Sequence, residues 1–304
     1  MRTTFQWSLG TRSLQLGQRT LIMGVVNVTP DSFSDGGLHF DRDKAIAHAV
    51  RLIEEGADII DIGGESTRPG AHVAITDGEN HVSAIANPAV TAKEELRRVI
   101  PVIMRLKKQI PGAVISVDTY KSVVARAAVD AGAEIVNDVS GFRWDREMTR
   151  TLAELQCGAV LMHMRGSPDR WRTLPPPGNV VELVKSELAQ WSEAALNAGV
   201  RRDRIVLDPG FGFGKRLEEN YPLFAHFEEL AALGFPLLAG VSRKSFIGRM
   251  LAQNRTDAPP EARLYGSIGA EVALILKGAH VVRTHEVEPA VEAARVADII
   301  LRQR

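Results

Sequence analysis

Short apolar segments alternate with longer amphipathic segments along most of the chain. Eight segments are apolar almost throughout, and between them apolar residues recur at helical spacing. Continuous apolar runs rich in β-branched residues are typical of parallel strands that are covered on both faces. The predicted strands are residues 21–27, 58–62, 113–118, 134–137, 159–163, 205–208, 236–242 and 280–285. The clearest helical stretches are residues 43–55, 92–109, 180–197, 262–276 and 290–301.

Glycines follow several of the predicted helices. A helix often ends at a residue in the left-handed backbone conformation, which glycine adopts most easily. Such glycines are Gly56, Gly132, Gly199 and Gly278, and an apolar run begins within a few residues of each. Eight strand–helix units without a Pro-, Gly- or Ser-rich linker predict an α/β protein, a (β/α)8 TIM barrel that forms one domain over residues 1–304. The segment before about residue 20 is predicted to form an N-terminal hairpin under the barrel.

A doubly wound sheet is the alternative architecture. It needs a reversal of strand order and usually carries a glycine-rich phosphate fingerprint after its first strand. Residues 28–37 follow the first predicted strand and hold no dinucleotide motif. The barrel is therefore favoured.

The chain has no net charge that could attract a charged ligand over a long distance. The 37 Lys and Arg residues equal the 37 Asp and Glu residues in number, so no net field gathers nucleic acid or an anionic membrane. Cys157 is the only cysteine, and we interpret it as a small buried residue in a reducing compartment. No segment has the ~18 consecutive apolar residues of a membrane span, and the N-terminus lacks an apolar signal core, so a cytoplasmic protein is predicted.

Polar side chains follow seven of the eight predicted strands. In a barrel these positions meet at the carboxyl-terminal mouth, where such enzymes have their active sites. A single polar residue at a strand end is more simply a helix cap or a turn residue, whereas a ring of them predicts an active site. The ring consists of Asn27, Asp118, Asn137, His163, Asp208, Ser242, Arg243, Lys244, Arg283 and His285.

The last predicted strand carries two basic side chains. Arg283 and His285 are two positions apart and are expected to face the same side of the strand. Such a pair predicts an anion between the two side chains, and a phosphate group suits the planar fork of Arg. A buried ion pair between Arg283 and a carboxylate of the neighbouring strand is the alternative.

Two predicted strands end in carboxylates that face the same cavity. Asp118 and Asp208 repel each other, so they require a metal, a cationic substrate or a heterocycle with several N–H donors. Asn137 offers both a donor and an acceptor, which favours the heterocycle. Acid–base hydrolysis by paired carboxylates remains an alternative. The glycines of residues 207–215 are expected to let the backbone pass close to a flat ligand that Phe213 covers.

Three further segments are expected to border the mouth. Residues 29–40 and 63–91 are longer than ordinary connections in such a barrel and are predicted to be lids. Residues 242–245 begin the seventh helix, whose N–H groups would attract a carboxylate.

These motifs, in this order from about residue 21 to residue 302, closely resemble the dihydropteroate synthases of bacterial folate biosynthesis. The resemblance rests on MGVVNVTPDSFSDGG at 23–37, DIGGESTRPG at 61–70, SVDT at 116–119, VND at 136–138, LMHM at 161–164, LDPGFGFGK at 207–215, SRKS at 242–245 and RTH at 283–285. It implies a transferase that condenses 6-hydroxymethyl-7,8-dihydropterin diphosphate with p-aminobenzoate and releases pyrophosphate, with Mg2+ as cofactor. It further implies a sulfonamide target that is usually a homodimer through its outer helices.

The resemblance also implies roles for individual residues. Those implied to bind the pterin ring are Asp118, Asn137, Met162, Asp208, Phe213 and Lys244. Those implied to bind the diphosphate are Asn27, Thr67, Arg283 and His285, with Asn27 also reaching the Mg2+. Those implied to shape the p-aminobenzoate pocket are Phe33, Pro69, Ser242 and Lys244. The residues implied to take part in catalysis are Asn27, Lys244, Arg283 and His285.

One segment departs from the family pattern. The connection between Pro69 and Thr91 is longer than the usual second loop by roughly a dozen residues. His72 and His81 in this segment are interpreted as surface residues. Two other functions remain open: a pterin-binding methyltransferase domain, which has no use for the diphosphate residues, and a catalytically silent pterin-binding barrel.

Overall fold

The computed structural model describes residues 2–28, 38–66, 89–171 and 173–303. Its strands confirm all eight predicted runs and the N-terminal hairpin. They are β1 (Phe5–Ser8), β2 (Ser13–Leu16), β3 (Leu21–Asn27), β4 (Ile59–Gly63), β5 (Val114–Asp118), β6 (Ile135–Asp138), β7 (Gly158–Met162), β8 (Ile205–Asp208), β9 (Leu238–Ala239) and β10 (Val281–Thr284).

Strands β3 to β10 form a nearly closed parallel barrel, which confirms the predicted fold. They pair in the order β8-β7-β6-β5-β4-β3-β10-β9. A single parallel bridge between Leu207 and Leu237 joins the two ends of this order. β9 begins later than predicted, because Pro236 has no N–H to donate to a neighbouring strand. The Pro236 carbonyl still accepts from the backbone N–H of Leu207 at 2.9 Å. The prediction of one domain over residues 1–304 stays a prediction.

The helices lie between the strands and include all five that the sequence predicted. They are α1 (Leu38–Glu54), α2 (Ala92–Gln109), α3 (Ser122–Asp130), α4 (Met148–Leu155), α5 (Val180–Asn197), α6 (Asn220–Ala225), α7 (Ser245–Met250), α8 (Leu264–Leu276) and α9 (Val287–Leu301). The four glycines predicted to end helices all have positive φ, from +98° at Gly199 to +111° at Gly132. Within the described ranges, none of these helices combines the length and the apolar character that a membrane crossing requires.

Side-chain caps determine where two of the long helices begin. The Thr91 hydroxyl accepts from the backbone N–H of Glu94 at 3.2 Å, so α2 begins at the next residue, Ala92. The Asn179 side chain accepts from the backbone N–H groups of Val181 and Glu182 at 3.0 and 3.2 Å, which fixes the start of α5. Each such cap stabilises its helix by about 1 kcal/mol.

The interior of the barrel is apolar at its floor and polar at its mouth. The floor is one buried cluster that includes Met23, Ile59 and Val160, and the hairpin closes it from below with Trp7. The indole N–H of Trp7 donates to the carbonyl of Arg204 at 2.8 Å. Successive side chains alternate between the two faces of a strand. Above this floor, the side chains that face inward are polar. They carry the site.

Candidate active site

Side chains at the carboxyl ends of four neighbouring strands lie in one row. Asn27 is paired in register with Gly63, Gly63 with Asp118, and Asp118 with Asn137. Neighbouring strands are about 4.8 Å apart, so these groups share one small cavity. A Cβ placed on Gly63 would lie 3.5 Å from the Asp118 Cβ and 3.8 Å from the Asn27 Oδ1. Glycine therefore keeps the space between the amide and the carboxylate open.

Arg283 lies at the centre of this cavity and holds two carboxylates. Its Nε donates to Asp61 Oδ2 at 2.7 Å and its Nη2 donates to Asp118 Oδ2 at 2.8 Å. The ion-pair alternative for Arg283 is thus present, but its partners come from β4 and β5, across the barrel interior, and not from an adjacent strand. Arg has five N–H donors, and these two contacts leave others for an anion.

Asp61 is a buried member of the site that the strand-end argument missed. Its Oδ2 accepts from Asn137 Nδ2 at 3.0 Å as well as from Arg283, and the residue has no exposed surface. Its Oδ1 has no hydrogen-bond partner among the described residues. The sequence contains one signal for this role, which is a carboxylate inside the otherwise apolar strand β4. A buried charge requires a partner, so Asp61 could have been expected to pair with a cation.

Burial shifts the pKa values of the charged groups at the mouth toward neutral pH. Burial raises the pKa of Asp118 to about 7, against the lowering effect of Arg283. Burial also raises the pKa of Asp208 to about 6, although the Gly210 N–H donates to its Oδ1 at 2.7 Å. Burial lowers the pKa of the Lys244 ammonium to about 7, and Arg283 acts in the same direction. Strongly shifted titratable groups in a cleft are typical of a functional site.

An apolar wall stands beside Asp208. Met162 is paired in register with Asp208 and belongs to the same buried cluster as Trp171 and Phe213. The Lys244 Nζ lies 3.8 Å from the centre of the Phe213 ring, and Trp171 packs against Phe213 edge to face at 5.7 Å. A cation over an aromatic face is favourable. This wall and Asp208 form a slot with an apolar side and an acidic end.

Two of the three glycines after β8, Gly210 and Gly214, have a different role from the one expected. A Cβ on Gly210 would lie 2.0 Å from the carbonyl oxygen of His163, and one on Gly214 would lie 2.0 Å from that of Arg165. These two glycines let two protein loops approach each other closely. The Lys215 ammonium joins the same two loops by donating to the carbonyl of Gly210 at 2.8 Å and to that of His163 at 3.4 Å, a role that the sequence did not reveal.

His163 does not belong to the ring at the mouth. Its Nε2 lies 2.9 Å from Glu187 Oε2 and its ring stacks on Trp191, both on α5 outside the barrel. Burial lowers the pKa of His163 to about 3. The prediction was wrong because Met162 faces inward, so the next residue faces outward.

The last two strand ends are joined by Ser242 and His285. The Ser242 hydroxyl accepts from the His285 backbone N–H at 3.2 Å and lies 3.1 Å from its Nδ1. β10 ends at Thr284, so His285 lies beyond the strand, where the alternation used to predict its direction no longer applies. Its imidazole contacts the loop after β9, whereas Arg283 contacts the carboxylates.

A buried lysine fixes the ends of the second long connection. Lys121 Nζ donates to Glu95 Oε2 at 2.6 Å and to an oxygen of Glu65. The other Glu65 oxygen accepts from the Tyr120 hydroxyl at 3.1 Å and from the Val90 backbone N–H at 3.2 Å. Glu65 lies at the beginning of the connection between β4 and α2 and Val90 lies near its end, so this cluster joins its two ends.

Lys121→Met is expected to lower the free energy of unfolding by about 3–5 kcal/mol, since it leaves two charged glutamates buried without a cation. Their side chains are only 5% (Glu65) and 1% (Glu95) exposed. Urea denaturation at pH 7 measures the change. Lys277→Met removes an exposed pair with Glu228 and is expected to change stability by less than about 1 kcal/mol. Equal small losses for both variants would contradict the prediction.

Several predicted residues cannot be placed. Phe33, Thr67 and Pro69 lie outside the described residues, as do His72 and His81. Within the described part of the chain, no group of three or more His, Cys, Asp or Glu side chains could hold a metal ion. Cys157 is buried as predicted, and burial raises the pKa of its thiol to about 12.

The class of protein follows from these features. It is a (β/α)8-barrel enzyme whose carboxyl-terminal mouth combines buried carboxylates, an amide and cations beside an apolar slot.

The chain belongs to the pterin-binding enzyme family, whose model matches residues 23–285. It is 44% identical to the dihydropteroate synthase of Bacillus subtilis, over 96% of this chain and 92% of that protein. A solved dihydropteroate synthase of Xanthomonas albilineans with 4-aminobenzoic acid superposes with a TM-score of 0.85 and 43% identity, covering 98% of each chain. The same enzyme in complex with 7,8-dihydropteroate gives a TM-score of 0.79 and 41% identity, over 94% of this chain and 95% of that one.

Proposed function

We propose that this chain catalyses the dihydropteroate synthase reaction as a single barrel domain. It joins 6-hydroxymethyl-7,8-dihydropterin diphosphate to p-aminobenzoate and gives 7,8-dihydropteroate and pyrophosphate. The observation that carries the proposal is the half-buried Asp118 with the buried Asn137 and Asp208, beside Arg283 at the mouth. Solved relatives hold 4-aminobenzoic acid and 7,8-dihydropteroate, which are a substrate and the product of this reaction.

The pterin ring is assigned to the acidic end of the slot. A ring amino group beside a ring N–H can donate to both oxygens of one carboxylate, and Asp208 is buried at the slot's end. Asp118 and Asn137 face the same cavity from β5 and β6. The faces of a flat ring fit between the wall residues, among which Met162 and Phe213 lie.

The diphosphate is assigned to the cationic side of the mouth. Arg283 and His285 bind its oxygens. Lys244 lies near both this end and the pterin slot, since Arg283 lowers its pKa and Asp208 raises it. Thr67 is part of the same proposal. A guanidinium and an imidazole neutralise the charge that grows on diphosphate as it leaves.

Mg2+ is the proposed cofactor, and the donor chemistry fits it. Asn27 offers one amide oxygen, beside Gly63, at the end of β3. Mg2+ usually takes only one or two protein ligands and completes its shell with substrate phosphates and water, so a cage of several carboxylates is not required. When bound, the ion would neutralise part of the diphosphate charge.

The p-aminobenzoate pocket is assigned to Ser242, Lys244, Phe33 and Pro69. Ser242 and Lys244 flank the start of α7. The ammonium of Lys244 can attract the carboxylate of p-aminobenzoate, and its pKa near 7 makes this attraction strongest below neutral pH.

The reaction needs no activated nucleophile from the protein. The bond between the pterin methylene and the diphosphate oxygen breaks, and its electron pair leaves with the diphosphate. Carboxylates of Asp118 and Asp208 stabilise the cationic methylene that remains. The neutral arylamine nitrogen then forms the new C–N bond and loses a proton. A dry slot matters because water competes for the same cation.

A pyrophosphate-release assay tests the proposed function. The pterin diphosphate is incubated with the protein, with and without p-aminobenzoate, and with Mg2+ or a chelator. Release that requires both p-aminobenzoate and Mg2+ is the expected result. Tight pterin binding without release would indicate a silent barrel, and methyl transfer to a corrinoid without release would indicate the methyltransferase; either outcome would overturn the proposal.

We further propose a homodimer through the outer face of α8. This helix contains one charged residue, Glu271, which is buried, so its outer face carries no charge. Tyr265 at its start is 88% exposed, and the neighbouring helix α9 exposes Val296 and Ile299. A contiguous exposed apolar face is typical of an interface between copies of a chain. A cytoplasmic location is also proposed, and the buried thiol of Cys157 fits it.

Tyr265→Glu is expected to weaken the dimer by at least about a hundredfold, because it replaces the most exposed aromatic side chain of the proposed apolar contact with a charge. Sedimentation velocity across a concentration series measures the shift toward monomer. Val123→Glu is the control, since Val123 is 53% exposed on the distant helix α3 and its change should leave the dimer intact. A monomeric wild-type chain at micromolar concentration would contradict the proposed dimer.

A further inference from the structure

Two loops at the mouth are joined by an ion pair that the proposed mechanism does not use. Arg243 lies in the loop between β9 and α7, and Glu286 lies in the loop between β10 and α9. The Arg243 Nε donates to Glu286 Oε1 at 2.8 Å, and its Nη2 donates to the same oxygen. The first loop also carries Ser242 and Lys244, and the second carries His285.

The backbone of Arg243 is in a conformation that requires external support. Its φ is +58°, which is unfavourable for a residue with a Cβ and persists where surrounding contacts hold it. Its backbone N–H donates to Ser267 Oγ at 3.0 Å, and its carbonyl accepts from Arg263 Nη1 at 2.7 Å. With Glu286 on the side chain, the backbone N–H, the carbonyl and the guanidinium of Arg243 each have a partner.

This turn separates two side chains that are assigned to the site. Ser242 contacts His285, and Lys244 lies over the Phe213 ring, while Arg243 between them contacts Glu286. Two consecutive residues of one loop therefore meet two consecutive residues of the other. A shift of either loop changes the placement of Ser242, Lys244 and His285 together.

We propose that Glu286 is a positioning residue that acts through Arg243. It fixes the Ser242–Lys244 turn against His285 and so sets the p-aminobenzoate end of the site. This inference rests on the proposed function for the identity of that substrate. The pair itself is partly exposed, 42% for the Arg243 side chain and 26% for that of Glu286, and such pairs add little to stability. Its effect should fall on geometry, since misplacement by about 1 Å can cost a hundredfold in rate.

Glu286→Gln is the test, and Asp257→Asn is its matched control. Asp257 pairs with Arg249 at 2.8 Å with similar exposure, 36% and 48%, but does not join the two site loops. Glu286→Gln is expected to raise the KM for p-aminobenzoate about tenfold. The Kd of the pterin diphosphate should rise by a smaller factor, about threefold, because His285 moves with the turn while Arg283 still holds the diphosphate. Its Tm should stay within about 2 °C of wild type. Asp257→Asn should match wild type in every measurement.

Hydrogen–deuterium exchange gives a readout that needs no activity. In Glu286→Gln, backbone amides of residues 240–247 should exchange at least about threefold faster, while the barrel strands exchange as in wild type. Arg243→Glu combined with Glu286→Arg should recover part of the lost p-aminobenzoate KM. Unchanged exchange and an unchanged KM in Glu286→Gln would overturn the inference. A wild-type protein that releases no pyrophosphate would overturn the proposed function instead, and the exchange result would still decide the positioning role.

Discussion

Asp208→Ala is expected to lower the affinity for the pterin alcohol by at least about a hundredfold, because truncation of a buried charged hydrogen-bonding group costs about 2–5 kcal/mol. Asp208 is 5% exposed and ends β8 at the closed side of the slot. Its Oδ1 is held by the Gly210 N–H at 2.7 Å, so the carboxylate is already oriented before a ligand arrives. Titration calorimetry with 6-hydroxymethylpterin measures the loss.

Asp138→Asn is the matched control for this change. Asp138 is also fully buried at a strand end, and burial raises its pKa to about 7. It follows the inward-facing Asn137, so it faces away from the mouth, and its Oδ1 accepts from the Ser140 N–H at 2.6 Å. The pterin affinity of Asp138→Asn should stay within about threefold of wild type. A similar loss in both variants would mean that buried charge in general, and not Asp208, supports the slot.

The pH dependence of pterin binding gives a second expectation for Asp208. Its pKa is raised to about 6 by burial, and only the ionised carboxylate accepts from both ring donors. Affinity should therefore fall as the pH drops from 7 to 5, where Asp208 gains a proton. Asp118, with a pKa of about 7, should begin the decline above pH 6. Asp208→Asn should bind weakly and with a flatter profile, and a flat wild-type profile would contradict the assignment.

The barrel could be predicted from sequence because its signals are local. Each buried parallel strand is an apolar run, and long helices such as α5 show several turns of periodicity. The helices whose extent the periodicity did not define are short: α3 has 9 residues, α4 has 8, and α6 and α7 have 6 each. Two turns hold too few apolar positions to establish a period.

The site could be predicted only as far as strand alternation reaches. Asp118 and Asn137 end neighbouring strands, so barrel geometry alone brings them together. The prediction for His163 was wrong by one position, because a shift of one residue along a strand moves a side chain to the other face of the sheet. The contact of Arg283 with Asp61 could not be predicted, since it spans the barrel interior between strands that are not adjacent.

Arg283→Ala is expected to weaken binding of the pterin diphosphate by at least about a hundredfold, and binding of the free alcohol by less than about tenfold. A bidentate guanidinium on a diphosphate contributes several hydrogen bonds to a charged group, each worth about 1.5–3 kcal/mol. The alcohol has no such group. The smaller loss of affinity for the alcohol comes from Asp118. Its pKa should rise further once the Arg283 cation at 2.8 Å is removed, so a smaller fraction of Asp118 is ionised and able to accept from the pterin ring.

The same change should also destabilise the fold. Asp61 has no exposed surface, and without Arg283 its charge is uncompensated, at a cost of about 3–5 kcal/mol if it stays ionised. Binding is therefore measured below the onset of unfolding, with the Tm recorded beside it. Asp61→Asn combined with Arg283→Ala should recover part of the lost stability without recovering diphosphate affinity.

Arg283→Lys separates charge from geometry. A lysine keeps a cation between Asp61 and Asp118, so the Tm should stay closer to wild type than in Arg283→Ala. It offers a single ammonium in place of the planar fork, so the diphosphate affinity should still fall by about tenfold or more. Equal losses for the diphosphate and the alcohol in both variants would mean that Arg283 serves only the carboxylates. The anion would then have to be held by other cations of the mouth, such as His285 and Lys244.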